Sequence, residues 1–215
     1  MKVFINNRDR LVWTRNLVVD VMRMGGEPVI IDNVSTYQPL LDWYATKPCE
    51  VVVLEQNLGP RAPWSSGIVA NMGGDRFGIT DPDLDLSNIP DDGIAKLCAG
   101  LDAHPSVPKA GFSLELNDLP EGNIGNRVRD YEAQYWTKPL ADGFYEAYVD
   151  TTFAVYERGR SLNNFYAAVR SDRPYTAKHL PWYGGPQTED EKYYVEHAER
   201  LGELGWTRWF REGLC

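Results

Sequence analysis

Three aspartates fall at alternating positions in "FGITDPDLDLS", the stretch from Phe77 to Ser87. Asp81, Asp83 and Asp85 follow directly on residues that suit a buried strand. Carboxylates crowded at a strand end repel one another, and oxygens spaced at i and i+2 reach one hard cation. Binding of a divalent metal is the chemistry open to them. The plainer alternative is a solvated acidic turn, since Asp and Pro both favour turns. An EF-hand loop is excluded by spacing: counted from Asp81, its glycine and glutamate positions hold Leu86 and Asp92. Phosphatases of the haloacid-dehalogenase type also carry Asp-x-Asp after a strand. There the pair follows the first core strand and prefers Thr or Val where this chain has Asp85.

The elements that must position these carboxylates are legible as an alternation. "KVFINN" from Lys2 reads as a strand, and "RLVWTRNLVVDVMRMGG" has apolar residues at helical spacing with a glycine stop. "EPVIID" is a second strand, and Ser35 and Thr36 suit the N-cap of a helix over "YQPLLDWYAT". A third strand is expected over 50–57, a short helix in "APWSSGIVANMG", a fourth strand in "RFGIT", a helix in "PDDGIAKLCAGLDAHP" and a fifth strand over 109–116. Such alternation predicts an α/β fold, a mostly parallel sheet with helices on both faces and ligands at the carboxyl ends of the strands. Those ends are "NNRD", "IDNVST", "EQNLG" and "TDPDLD", every one carrying Asn or Asp.

The second half changes character. Residues 117–130 read as loop, "YEAQYW" as helical or extended, 143–158 as one or two strands, and 175–186 as loop. A closing helix follows, with Thr188 and Glu191 placed for a capping box. With no repeats and no low-complexity linker, the chain reads as a single domain, 1–215, in two functional halves, 1–118 and 119–215.

Composition narrows the function classes. The chain has 215 residues, 43% apolar and 25% charged, enough for a packed core and against long disorder. A formal net charge of −9 without any Lys/Arg block argues against nucleic acid as a partner. No apolar run reaches membrane-spanning length, and "MKVFINNRDR" has no leader-like apolar region. Three dispersed cysteines, Cys49, Cys98 and Cys215, offer neither a zinc spacing nor a disulfide framework, so a reducing cytoplasmic compartment is expected.

Taken together, the strand tips resemble those of the GT-A fold glycosyltransferases, family 2 most closely. "IIDNVST" resembles the family's V-D-N-G-S-T segment, "NLGPRAPWSSG" its N-x-G stretch and short helix, and "DRFGITDPDLD" its segment ending in D-x-D. The resemblance covers roughly 2–118 and keeps the family's order. It implies a GT-A (Rossmann-like) sheet with a smaller C-terminal acceptor-side subregion. It also implies a nucleotide-sugar donor, UDP-sugar by family preference, with Mn²⁺ or Mg²⁺ held by the carboxylates. Such an ion stabilises charge on a departing diphosphate and lets an acidic protein bind an anion. Carried over by position, Asn6 and Arg8 line the nucleotide pocket, and Asp32 and Asn57 lie near the base. Asp81 meets ribose or metal and Asp83 the metal, while Asp85 is left between an acceptor-facing role and none.

Some GT-A enzymes return a late histidine to the metal, and His179, in "AKHLPWYGG", is the candidate. An inverting transferase needs a carboxylate base beside the acceptor hydroxyl. "YVDTTFAVYER" resembles the family's E-D-x-x-x-x-x-R region with Val149 replacing the first acid, which makes Asp150 the leading base. Glu132 and then Asp118 follow it, and Trp136 and Trp182 are ring faces for substrate. If configuration is retained, no such base is required. Trp206, Trp209 and Phe210 in the closing helix suit core packing, a dimer contact or a membrane surface. The acceptor is not named by any residue, and at this length a homo-oligomer or partner would complete its site. Two other functions remain in view. One is a sugar nucleotidyltransferase of the same fold, disfavoured because "INNRDRLVW" lacks its glycine-rich loop. The other is a non-catalytic nucleotide-sugar-binding subunit.

Overall fold

The computed structural model describes residues 1–160, 166–184 and 188–200; Trp206, Trp209, Phe210 and Cys215 lie outside the described residues. In chain order the strands are β1 (Lys2–Asn7), β2 (Glu27–Asp32), β3 (Glu50–Val53), β4 (Arg76–Thr80), β5 (Leu84–Asp85), β6 (Lys109–Leu114), β7 (Pro139–Leu140), β8 (Phe144–Glu146), β9 (Ala154–Glu157) and β10 (Val169–His179). The helices are α1 (Val12–Arg23), α2 (Gln38–Ala45), α3 (Ala62–Ser65), α4 (Ile68–Met72), α5 (Gly93–Ala103), α6 (Asn123–Glu132) and α7 (Glu189–Arg200).

The sheet order is β3-β2-β1-β4-β9-β6-β10-β8-β7, with β5 paired on β10. β3, β2, β1 and β4 are mutually parallel, and β10 is parallel to β6. β9 is antiparallel to both β4 and β6, so β6 points the same way as β4. The long part of the sheet is therefore parallel apart from this one inserted strand. Both of its faces are covered, as alternation along β1 shows. Val3 and Ile5 join the cluster made with Leu17, Val21, Leu97 and Leu101 of α1 and α5. Phe4 joins the opposite cluster with Ala62, Val69, Phe77 and Tyr156. Period-2 side chains that are apolar on both faces are what a doubly covered sheet demands.

Several sequence expectations are corrected. The third strand ends at Val53, and Asn57 lies beyond it in a turn. Neither Ser35 nor Thr36 caps α2; its N-cap is Tyr37, and the Asp9 carboxylate accepts from the Thr36 and Tyr37 amides at 2.6 and 2.9 Å. Asp9 thus fixes the chain entering α2, and the first turn itself has no side-chain cap. Residues 117–130 are not all loop: α6 begins at Asn123. Ile124, Val128 and Tyr131 do fall at helical spacing on it, but Gly122, Gly125 and the polar residues between them read locally as loop. Residues 175–179 belong to β10, where they pair with β6 and β5. That pairing is long-range and has no local signal. At the start of α7, the Thr188 amide does donate to Glu191 Oε2 at 2.8 Å, as a capping box requires.

Candidate active site

The site lies along the carboxyl edge of β1, β2 and β4, and the topology explains what gathers there. β9 runs antiparallel beside β4, with Ala154 opposite Ile79, so the residues just before β9 lie at the carboxyl end of β4. Asp150, Thr151 and Thr152 thereby meet the aspartate segment. β10 runs parallel to β6 and delivers its last residue, His179, to the same edge. β5 then pairs antiparallel with β10, placing Leu84 opposite His179, and the Leu180 amide donates to the Asp83 carbonyl at 2.9 Å.

This clip sets the Asp83 carboxylate 3.7 Å from His179 Nε2. Asp83 Oδ1 is buried and has no hydrogen-bond partner among the described residues. His179 is buried, with its ring tilted against Trp182 at a centroid distance of 4.6 Å. Burial holds its imidazole pKa below the ordinary value, against the pull of Asp83, which favours the neutral ligand form. Asp81 accepts from Thr151 Oγ1 at 2.5 Å. Burial, then Asp83 and Asp150, push its carboxyl well above the usual range, while Thr151 and Arg10 act the other way. Asp85 is turned into a local loop, its Oδ1 accepting from the Ser87 amide at 2.9 Å.

An orphaned carboxylate oxygen beside a neutral imidazole is a donor set that suits Mn²⁺ or Mg²⁺. Magnesium in particular is bound by one or two carboxylates plus substrate phosphates rather than a full protein cage. Among the described residues no group of three or more His, Cys, Asp or Glu side chains is placed to hold a metal ion, so Asp81, Asp83 and His179 do not form one three-ligand set.

The tips of β1 and β2 form a connected polar floor. Asn33 Nδ2 donates to Asn6 Oδ1 at 2.5 Å, and both amides reach the Gly59 carbonyl at 3.3 Å. Asn57 Oδ1 accepts from the Gly59 amide at 2.8 Å, so Asn57 shapes the turn that Asn6 and Asn33 grip. Asp32 is engaged on both oxygens, by the Ser35 amide at 2.8 Å and the Tyr44 hydroxyl at 3.0 Å. Arg8 lies 3.7 Å from the Asp9 carboxylate. Asp150 is exposed, and its carbonyl accepts from Lys109 Nζ at 3.1 Å.

Three further sequence candidates are taken up by partners of their own. Glu132 is buried in an ion pair with Arg170, Oε2 to Nη1 at 2.7 Å. Trp136 packs edge-on to Tyr145 of β8 under Arg173, and Asp118 pairs with Lys178 and Tyr183. Sequence reasoning missed Asn33, Thr151, Lys109 and Arg10. Asn33 and Arg10 stood within motifs already singled out. Thr151 stood in the segment singled out for Asp150, but its partner and that of Lys109 are more than forty residues away, where no local pattern points.

No family model matches the chain, and no curated protein sequence matches it. Solved structures do. S. aureus TarS aligns with a TM-score of 0.54 and 14% identity over 94% of this chain and 43% of its own. A structure of TarS 1-349 aligns at 0.52 and 15% identity over 84% and 60%. GalNAc-T7 with UDP, GalNAc and Mn²⁺ aligns at 0.52 and 14% identity over 98% and 55%. The chain thus spans about half the length of the structures it matches. Identities this low establish the fold, and the fold is GT-A.

Proposed function

We propose that this chain is a metal-dependent glycosyltransferase that moves a sugar from a nucleotide-diphosphate sugar, a UDP-sugar by preference, to an acceptor hydroxyl. The observation that carries the reading is the convergence of Asp83 and His179, with Asp83 Oδ1 buried and unpaired, at the ligand edge of a GT-A sheet. Asp83 and His179 would hold Mn²⁺ or Mg²⁺, which when bound would supply the positive charge that offsets charge growing on the departing diphosphate. Asp81, fixed by Thr151, faces the ribose side of the same ligand. Asn6, Asn33 and Asn57 build the turn around Gly59 that borders the nucleotide, and Arg8 and Asp32 close the pocket beside it. The Asp150 carboxylate takes the proton of the acceptor hydroxyl as its oxygen attacks the anomeric carbon and the sugar–phosphate bond breaks, inverting configuration. Glu132, Trp136 and Trp182 belong to the acceptor-side half; Glu132 acts there through its ion pair with Arg170. The bound UDP and Mn²⁺ of GalNAc-T7 support the donor class.

The test is thermal unfolding of the purified chain with UDP, UDP-sugars and other nucleoside diphosphates, each with Mn²⁺, Mg²⁺ or EDTA. A ligand bound only by the native state raises its stability by linkage. The expected result is stabilisation by uridine diphosphates that needs metal and is lost in Asp83→Ala. Absence of any nucleotide-dependent shift with metal present would sink the reading.

A further inference from the structure

Arg10 stands two residues beyond the Arg8 carried over by resemblance, and its surroundings are unlike those of a surface arginine. It is 8% exposed. Its guanidinium lies between two aromatic rings, 4.3 Å from the Trp13 centroid and 3.9 Å from that of Tyr194. Trp13 belongs to α1 and Tyr194 to α7, and Asp190 of α7 accepts from the Leu11 and Val12 amides at 2.7 and 2.9 Å. The cation is thus held in a fixed plane by two helices that are themselves bonded together. Its Nη1 is buried with no hydrogen-bond partner among the described residues. Arg10 follows the carboxyl end of β1, which runs parallel beside β4, so it stands at the same sheet edge as Asp81, the first residue beyond β4.

A buried guanidinium with an unmet N–H is costly, because the desolvated donor has exchanged water for nothing. Stacking fixes the plane of the fork but leaves its in-plane N–H groups unspent. A fork held rigid, with a buried N–H unmet and at the same sheet edge as Asp81 and Asp83, is suited to an oxyanion that arrives with the ion. Carboxylate or sugar hydroxyl ligands fit less well. A hydroxyl does not use the charge, and a lone carboxylate offers one anionic group where a diphosphate offers one to the ion and another to the guanidinium.

We propose that Arg10 is a diphosphate-binding residue, donating from Nη1 to a phosphate oxygen of the nucleoside diphosphate moiety at the Asp83–His179 edge. This rests on the donor-site reading above. It adds a direct protein contact to the leaving group, and it makes Tyr194, on the helix that closes the described chain, the support of that contact.

The experiment is isothermal titration of wild type, Arg10→Gln and Arg10→Lys with uridine, UDP and inorganic diphosphate, each with Mn²⁺ and with EDTA. Melting curves establish that each variant is folded. Arg10→Gln is expected to weaken UDP and inorganic diphosphate by about 10–100-fold, the worth of a charge-assisted hydrogen bond, and to leave uridine unchanged. Arg10→Lys keeps the charge but loses the stacked fork, and falls between. If Arg10→Gln does not fold, Arg10→Lys carries the comparison. Equal UDP and diphosphate affinity in wild type and variant overturns the inference while leaving the donor reading intact. Diphosphate binding that depends on Arg10, without uridine or UDP preference, supports the anion contact and refutes the nucleotide donor. No binding of either by wild type overturns both.

Discussion

Replacing Arg170 by methionine tests whether Glu132 is a structural carboxylate. Arg170 and Glu132 are 2.7 Å apart, with 5% of each side chain exposed. Arg170 Nε also donates to the Tyr148 carbonyl at 2.6 Å, and the guanidinium lies 4.2 Å from the Tyr135 ring. It therefore joins β10 and α6 to the segment leading into Asp150. Removing one partner of a buried pair strands the other, at a cost of about 3–5 kcal/mol. For a chain of this size each kcal/mol is worth about 2–4 °C, so Arg170→Met is expected to lower Tm by about 6–20 °C. The loss also depends on pH. Burial raises the Glu132 pKa in the folded protein, and Arg170 opposes that rise. A raised carboxyl pKa contributes stability below the unfolded value, which is lost as pH climbs through the folded one. Without Arg170 the folded pKa climbs further. The variant should then lose more stability, relative to wild type, at pH 8 than at pH 5. Urea denaturation at the two pH values, with Glu132→Gln alongside, is the assay. A loss below about 1 kcal/mol, the size of an exposed ion pair, or one independent of pH, would refute the reasoning. Glu132→Gln that keeps wild-type stability would do the same and return Glu132 to direct substrate contact.

Lys109 is fully buried beneath Asp150, and burial depresses its pKa to about 7. A depressed lysine binds fewer protons folded than unfolded between that value and the unfolded one, so its contribution to stability rises with pH across the window. Wild type should gain stability relative to Lys109→Met from pH 7 to pH 10 in denaturant titrations; a parallel pair of curves would contradict this. Asp190→Ala removes the acceptor of two amides at the start of α1 and should cost about 0.5–2 kcal/mol by the same method, with α7 released from α1 in hydrogen exchange. Unchanged protection of α7 would show that its docking does not depend on this cap.

The alternation of strands and helices over the first half was legible because it is local: unbroken apolar runs in β1 and β2, and a helical stripe of Leu17, Val18 and Val21 in α1. The polar tips were legible for the same reason, since a buried parallel strand has nowhere to place Asn and Asp except at its ends. Asp81, Asp83 and the Asn-rich turns could be singled out from spacing alone. What only the tertiary structure decided is which residues meet them. The insertion of β9 between β4 and β6 carries Thr151 to Asp81, and the β5–β10 pairing clips Asp83 beside His179 from a distant part of the chain. Glu132 reads as an active-site acid until Arg170, 38 residues on, is seen to engage it. Arg10 carries no assignment in the sequence, and its part emerges only when Trp13 and Tyr194 are seen to enclose it. The physical reason is common to all of these. Backbone periodicity is written in neighbouring residues, whereas the burial and charge that set a side chain's chemistry come from residues that only the closed sheet brings near.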